Sequence, residues 1–269
     1  MHKTVTHGVA CAMLLASVTF MSSFKNDDGT SGTYLKKISS ASGQTTLEYN
    51  SDKTIRKIVQ HHKTENASYT DVTLPVYENG HLVKTMLADD ENASSGDLYA
   101  AYDYVQGSDK IAKVSFYRDN AVYTYDSLAY DANGRLAFRY QFSKVPGKGA
   151  WENSGYQQFT WNDKGDVERM DNYGKQPGYS KFVNTSSINY TYDDRQNPQL
   201  QQPALAFVLD ANAANLSAHN ILSENLSTPH SSRVITNTYV YTYAGRYPVR
   251  ATYNSGADQG IVKLEWAKL

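Results

Sequence analysis

In YDANGRLAFRYQF (residues 130–142), Leu136, Phe138, Tyr140 and Phe142 alternate with Ala137, Arg139 and Gln141, and the alternation continues at Ser143. A period of two sends alternate side chains to opposite faces, so the pattern predicts a strand with the large apolar residues on one side. Leu128 and Tyr130 alternate with smaller neighbours in the same way before the turn. Asp131-Ala132-Asn133-Gly134 carries the chemistry of a tight connection: Asp caps the turn, and Gly accepts the positive φ that strains a residue bearing Cβ. The stretch is read as a β-hairpin.

Versions of it recur. WNDKGDVERM (161–170) keeps the aromatic, the glycine four residues on and an apolar residue six on. YNSDKTIRKI (49–58) puts Lys53 at the glycine position. YENGHLVKTM (77–86) shortens the turn, YVQGSDKIAKV (104–114) lengthens its arm by about one residue, and YDDRQNP (192–198) and YAGRYPVRATY (243–253) are divergent copies. From Tyr49 to Trp161 the aromatic anchors lie roughly 26–31 residues apart, a step suited to repeated supersecondary units. Gly80, Gly134 and Gly165 are the structural turn glycines. Strands are also expected at 111–117, 122–130, 159–161, 187–192, 234–243 and 261–266. In the last of these, Val262, Leu264 and Trp266 alternate with Lys263 and Glu265.

The pattern breaks at 196–232. There Pro203 suits a first helical position, Leu205, Val208 and Leu209 fall at helical spacing, and Asn215 is placed to end the helix. A gap this long is unusual for a plain loop, and the segment is expected to cap or plug the sheet. The fold class is all-β: an antiparallel meander of about seven hairpin repeats forming a strongly curved sheet or barrel, with a short helical insertion. A membrane-embedded barrel is the rival architecture. Lys and Arg on many strands, low mean hydropathy and a polar N-terminal stretch weigh against it.

At the N-terminus, His2, Lys3 and His7 precede an apolar run over 8–21, too short to span a bilayer but fitting a signal-peptide core. Residues 1–23 are read as a signal peptide, with an uncut anchor as the alternative. Residues 24–33 are read as a flexible tether and 34–269 as one β-repeat domain. The one cysteine, Cys11, leaves with the signal, which removes disulfides, zinc–cysteine clusters and cysteine nucleophiles from consideration. A formal net charge of −1 spread over 269 residues offers no basic stripe for nucleic acid.

With Ser22-Ser23, Lys25 and the acidic stretch after them, the N-terminus resembles that of secreted lipoproteins of Bacteroidetes. The hairpins resemble the YD-type repeats of Rhs-like shells. Together with YTYDDRQNP (190–198) and VYTYAGRYPVRATY (240–253), they make the chain similar to a lipoprotein family of unknown function. That resemblance implies an exported protein, in the periplasm or at the cell surface, with a porin-like antiparallel β fold; it implies no catalytic residues. One departure bears on the anchor: Phe24 stands where such lipoproteins carry the lipid-bearing cysteine.

Candidate chemistry is sparse. His61 and His62 are adjacent, so a strand sends them to opposite faces, a poor arrangement for one metal. Asp89, Asp90, Glu91 and Asn92 form an acidic loop, read as solvated rather than as a calcium site. No nucleophile elbow or phosphate-binding glycine loop is present. No cofactor or metal is assigned, and a catalytic role is disfavoured. The alternative is a hydrolase using loop carboxylates around Asp163, Asp166 and Glu168. The 22 tyrosines are the remaining feature, and rings on strand faces suit both core packing and glycan or peptide recognition. The expected reading is a non-catalytic binding scaffold for a glycan or peptide, with Tyr190, Tyr192, Tyr241 and Tyr243 as ligand-binding residues beside the insertion.

Overall fold

In the computed structural model, which describes residues 32–269 apart from 146, 148, 176–178, 198–204 and 257, each repeat anchor closes one end of a hairpin. The hairpins are β2 (Gly43–Tyr49) with β3 (Ile55–Lys63), β4 (Ser68–Glu78) with β5 (His81–Ala88), and β6 (Asp97–Tyr104) with β7 (Ile111–Arg118). They continue as β8 (Ala121–Tyr130) with β9 (Leu136–Lys144), and β10 (Trp151–Trp161) with β11 (Val167–Lys175). Then come β12 (Phe182–Gln196) with β13 (His219–Ser227), and β14 (Ile235–Ala244) with β15 (Tyr247–Ser255). Two further strands, β1 (Thr33–Ser40) and β16 (Asp258–Lys268), pair with each other and close the sheet into an antiparallel barrel. Sixteen strands exceed what seven hairpins supply, because β1 and β16 carry no complete copy of the motif. The open-sheet alternative gives way to closure. The tether assigned to 24–33 overlaps β1 at Thr33, and the signal peptide of 1–23 lies outside the described residues.

The motif has a common geometry. In every hairpin the anchor sits at a register shift: Tyr49, Tyr77, Tyr104, Tyr130, Trp161, Tyr192 and Tyr243 each follow a β-bulge. Each pairs with the apolar residue after its turn, as Tyr130 does with Leu136 and Trp161 with Val167. Its polar tip then reaches the neighbouring hairpin. Tyr104 donates to the Leu82 carbonyl at 3.0 Å, Tyr130 to Ile111 at 2.7 Å, Trp161 to Leu136 at 2.8 Å and Tyr192 to Val167 at 2.6 Å. Tyr49 donates to Leu35, and Trp266 of β16 to Pro248. For Tyr104, Tyr130, Trp161 and Tyr192 the acceptor is the post-turn residue of the preceding unit, which makes the repeat a chain of interlocked steps around one rim; Tyr243 departs from it and donates to Asp193. A bulge also bends its strand and increases twist. Seven bulges at the same end supply curvature for closure.

The bulge changes the facing of the strand that first revealed the repeat. Ala137 is the extra residue, so Leu136 turns inward while Leu128 comes opposite Arg139. Phe138, Tyr140 and Phe142 consequently face outward and Arg139 inward, against the uniform alternation expected from sequence. A one-residue slip flips every later side chain.

The turns repeat as well. Asp131/Gly134, Asn162/Gly165 and Asn50/Lys53 share one backbone hydrogen-bond pattern, with φ of 78° at Gly134, 86° at Gly165 and 73° at Lys53. Gly80 adopts φ 81°. Lys53 takes a left-handed conformation that is costly for a residue with Cβ. Gly134→Val is expected to lower stability by about 1–3 kcal/mol, since its Cβ would also press on the Lys110 side chain. Lys53→Gly is expected to raise stability by up to about 1 kcal/mol, and Ala132→Ser to change little. Urea melts of the three variants check the turn assignment, which fails if Gly134→Val melts like Ala132→Ser.

The core is inside the barrel. Ile38, Leu47, Ile58, Val262 and Leu264 fill one side, and Leu82, Ala100, Val114, Phe159 and Val167 the other. The helical insertion packs among them as a plug. It occupies the place of the sixth turn, between Gln196 and His219, and contains α1 (Leu205–Leu209) and α2 (Ala213–Leu216). The segment assigned to 196–232 is thus shorter as an insertion, because 219–227 is strand β13. Asn215 lies inside α2 rather than ending α1; the N-cap Asn212 accepts from the Asn215 amide and starts that second turn. Pro203 lies outside the described residues.

Candidate functional site

The plug is fastened at its base. Asp166, 1% exposed, accepts from the His219 amide at 2.9 Å, stands 3.0 Å from His219 Nδ1 and receives the Asn162 amide. Ser217 accepts from the Val167 amide and donates to the Tyr192 hydroxyl at 2.9 Å. Asn197 donates to the carbonyls of Ala214 and Ser217, both within 2.8 Å. Farther in, the Tyr102 hydroxyl reaches the Phe207 carbonyl at 3.4 Å, and Arg139 holds Asp210 at 2.7 Å.

Two cavities flank Phe207. One, of about 320 Å³, lies beside Tyr99, Phe116, Asp126, Arg139 and Asp210. The other, of about 390 Å³, opens among three successive turns and is lined by Tyr77, His81, Leu82, Tyr104, Asp109 and Phe207. This turn-end cleft has an aromatic floor and a polar rim. His81 lies against the Tyr104 ring, centroids 4.8 Å apart, and its Nε2 is 2.9 Å from Asp109. Burial pushes the Tyr77 hydroxyl up to about 12. Concave apolar walls with a few convergent polar groups are the usual form of a small-ligand site. None of this cleft was legible as a site in the sequence. Its residues come from three repeats and the plug, and only the shared end of the anchors hinted that they meet.

Of the four tyrosines singled out by sequence, Tyr190, Tyr192 and Tyr241 pack with the interior core. Tyr190 is buried in the core, and burial raises its hydroxyl well above the ordinary value. The Tyr192 hydroxyl is committed to Val167 and Ser217, and the Tyr241 hydroxyl is enclosed. Tyr243 donates to Asp193 and accepts from Asn220. Their strands are not side by side, because β13 runs between β12 and β14. The exposed aromatic display lies elsewhere, on the outer face of β8–β12. There Tyr125 stacks on Phe142 at 4.6 Å and Tyr156 on Tyr173 at 4.5 Å. These rings spend their faces on each other as cross-strand ladders.

Of the carboxylates weighed for hydrolysis, Asp166 is consumed in the plug fastening, while Asp163 and Glu168 are exposed. His61 and His62 point to opposite faces, toward Glu91 and Asp71. The acidic loop turns on Asp90, and its Glu91 carbonyl accepts from Lys57, tying it onto β3 beside the buried Val59.

Inside the wall, Glu224 accepts from the Tyr239 hydroxyl at 2.9 Å and the Asn237 amide at 3.2 Å, both neutral donors. Burial raises its pKa, only partly offset by those hydrogen bonds. A carboxyl raised in the folded state contributes stability that is full below its unfolded pKa, about 4.3, and is lost as pH rises through the folded value. Glu224→Gln is therefore expected to remove part of the stability decline seen on raising pH above about 4.3. Chemical melts from pH 4 to 8 check this; parallel profiles for the variant and the parent would refute it.

Sixteen antiparallel strands, an inward core and a plug from one interrupted repeat define a filled, closed meander barrel. Similar solved structures include a porin-like protein from Bacteroides uniformis, 14% identical with a TM-score of 0.52, the match covering 93% of this chain and 99% of that one. Another is a porin-like protein from Bacteroides vulgatus, 13% identical with a TM-score of 0.43, covering 88% of this chain and 100% of that one. At these identities the first likeness establishes the barrel fold alone. No protein-family model matches the chain, nor does any curated protein.

Proposed function

We propose that this chain is an exported, water-soluble, non-catalytic scaffold that takes a short glycan segment into the turn-end cleft. The observation that carries the reading is the cleft itself, where Tyr77, Tyr104 and Phe207 supply apolar faces and His81 and Asp109 a planar polar rim. Sugars present C–H faces to rings and hydroxyls to such rims. The polarity of the wall supports a scaffold over a pore. The aliphatic core lines the interior around the plug, and the outer face mixes the aromatic ladders of β8–β12 with charge: Lys113, Arg169, Arg250 and Lys263 lie on outward-facing positions. Each such charge would cost about 2–4 kcal/mol at a bilayer midplane.

Glycan-array screening followed by titration tests the reading. His81→Ala, at a half-exposed residue of the rim, is expected to weaken binding at least tenfold with an unchanged melting temperature. Tyr179→Ala, outside the cleft, should have no effect. Lack of binding to any glycan, or equal binding by His81→Ala, would overturn it. Export is supported by the N-terminal sequence. Protein from the native host is expected to begin near residues 22–25 without lipid, and an intact mass retaining residues 1–20, or carrying a diacylglycerol increment, would refute this.

A further inference from the structure

Arg139 is shared by two carboxylates of different standing. Its Nε bonds Asp126 Oδ2 at 2.6 Å, and Asp126, on the neighbouring strand, has a side chain only 8% exposed. Its Nη1 bonds Asp210 Oδ1 at 2.7 Å and Gln157 Oε1 at 3.3 Å. Asp210 belongs to the plug, between α1 and α2, and its side chain is 45% exposed. The Asp210 backbone is fixed separately: its carbonyl accepts from the Asn215 side chain at 2.6 Å and from the Asn212 amide. The carboxylate can therefore turn to water without unravelling the plug. Beside this pair lies the cavity of about 320 Å³, where Tyr99 and Phe116 meet edge to face at 5.7 Å.

We propose that this second cavity binds a small carboxylate carried on a ring, of the uronic-acid class, and that Asp210 is its built-in competitor. The ligand carboxylate takes the place of Asp210 on Arg139 Nη1, and its ring stands against Tyr99 and Phe116. The exchange is one anion for another, so the charge held by Arg139 and Asp126 does not change and no new unpaired charge is buried. The guanidinium suits this role because its fork keeps one edge on Asp126 while offering the other. The released Asp210 carboxylate is hydrated at the plug surface.

The inference is independent of the turn-end cleft, and the test separates the two. D-glucuronate and D-glucose are titrated calorimetrically into the full chain and into Asp210→Ala. Glucuronate is expected to bind the parent more tightly than glucose does, and at least tenfold more tightly still to Asp210→Ala. Arg139→Lys, which keeps a charge for Asp126 but lacks the fork, should lose the preference for the acid, with circular dichroism confirming the fold. The gain from Asp210→Ala must persist in the His81→Ala background, where the turn-end cleft is impaired. Equal binding of the two sugars, no glucuronate binding at millimolar concentration, or no gain in Asp210→Ala would overturn the proposal. If Arg139→Lys does not fold, the Asp210→Ala comparison alone decides.

Discussion

Replacing Arg139 by methionine is expected to lower the stability of the barrel by about 3–5 kcal/mol. The loss comes less from the missing attraction than from the carboxylate left behind. Asp126 is almost wholly enclosed between Arg139 and the inner wall, and burial already raises its pKa despite the adjacent guanidinium. Without Arg139 that carboxyl must stay charged and unpaired or take up a proton, and either costs free energy near neutral pH. Asp210, the other partner, is half-exposed and can reach water, so it adds little to the loss. The double variant Asp126→Leu/Arg139→Met is expected to recover most of the stability, because apolar side chains in place of a buried pair are often neutral or better. The sign of the pH effect follows. With its folded pKa raised further, Asp126 favours the folded state below its unfolded pKa of about 3.9, and that contribution fades as pH rises through the folded value. The deficit of Arg139→Met should therefore shrink on acidification. Urea unfolding at pH 4.5 and 7.5 measures it. A single variant as stable as the double one at both pH values would mean the pair is not buried in the way described.

The repeat was legible in the sequence because its parts act locally: an aromatic before a turn, a residue at positive φ within it, an apolar residue after it. Register was less legible. Ala137 looks like an ordinary outward residue of an alternating strand, yet as the bulge it exchanges the faces of everything from Phe138 onward. The pattern also concealed β13, because its inward positions include Glu224, a polar residue sustained by Tyr239 and Asn237 from the next strand. Those partners are neighbours only after pairing. Closure was left open between a curved sheet and a barrel for a similar reason, since the bonds of β1 to β16 join the two ends of the described chain. The candidate sites fail the same test of locality. Tyr190 and Tyr192 flank the plug in sequence but are spent on the core and on fastening the plug, while His81, Tyr104 and Phe207 converge from separate elements.

Trp161→Ala and Tyr130→Ala are each expected to cost about 3–5 kcal/mol, as large-to-small core substitutions do. Both rings pack against the main core cluster. Each also ties its hairpin to the one before it: Trp161 donates to the Leu136 carbonyl and Tyr130 to the Ile111 carbonyl. Tyr130→Phe separates the two contributions, because the ring stays and only the donor is lost. The Ile111 carbonyl then lacks that partner beside a buried strand, and a loss of about 1–3 kcal/mol is expected. Tyr243 supplies an internal contrast. Its hydroxyl meets Asp193 and Asn220 rather than a preceding post-turn carbonyl, and these two remain bonded to each other without it. Tyr243→Phe should therefore cost less than Tyr130→Phe, although both are anchors by sequence. Hydrogen exchange adds a spatial reading. Loss of the Tyr130 hydroxyl should speed exchange around the turn of β6–β7, which it grips, as well as around its own turn. If exchange rose only in the Tyr130 hairpin, the anchors would be isolated turn residues and the rim would not be an interlocked chain.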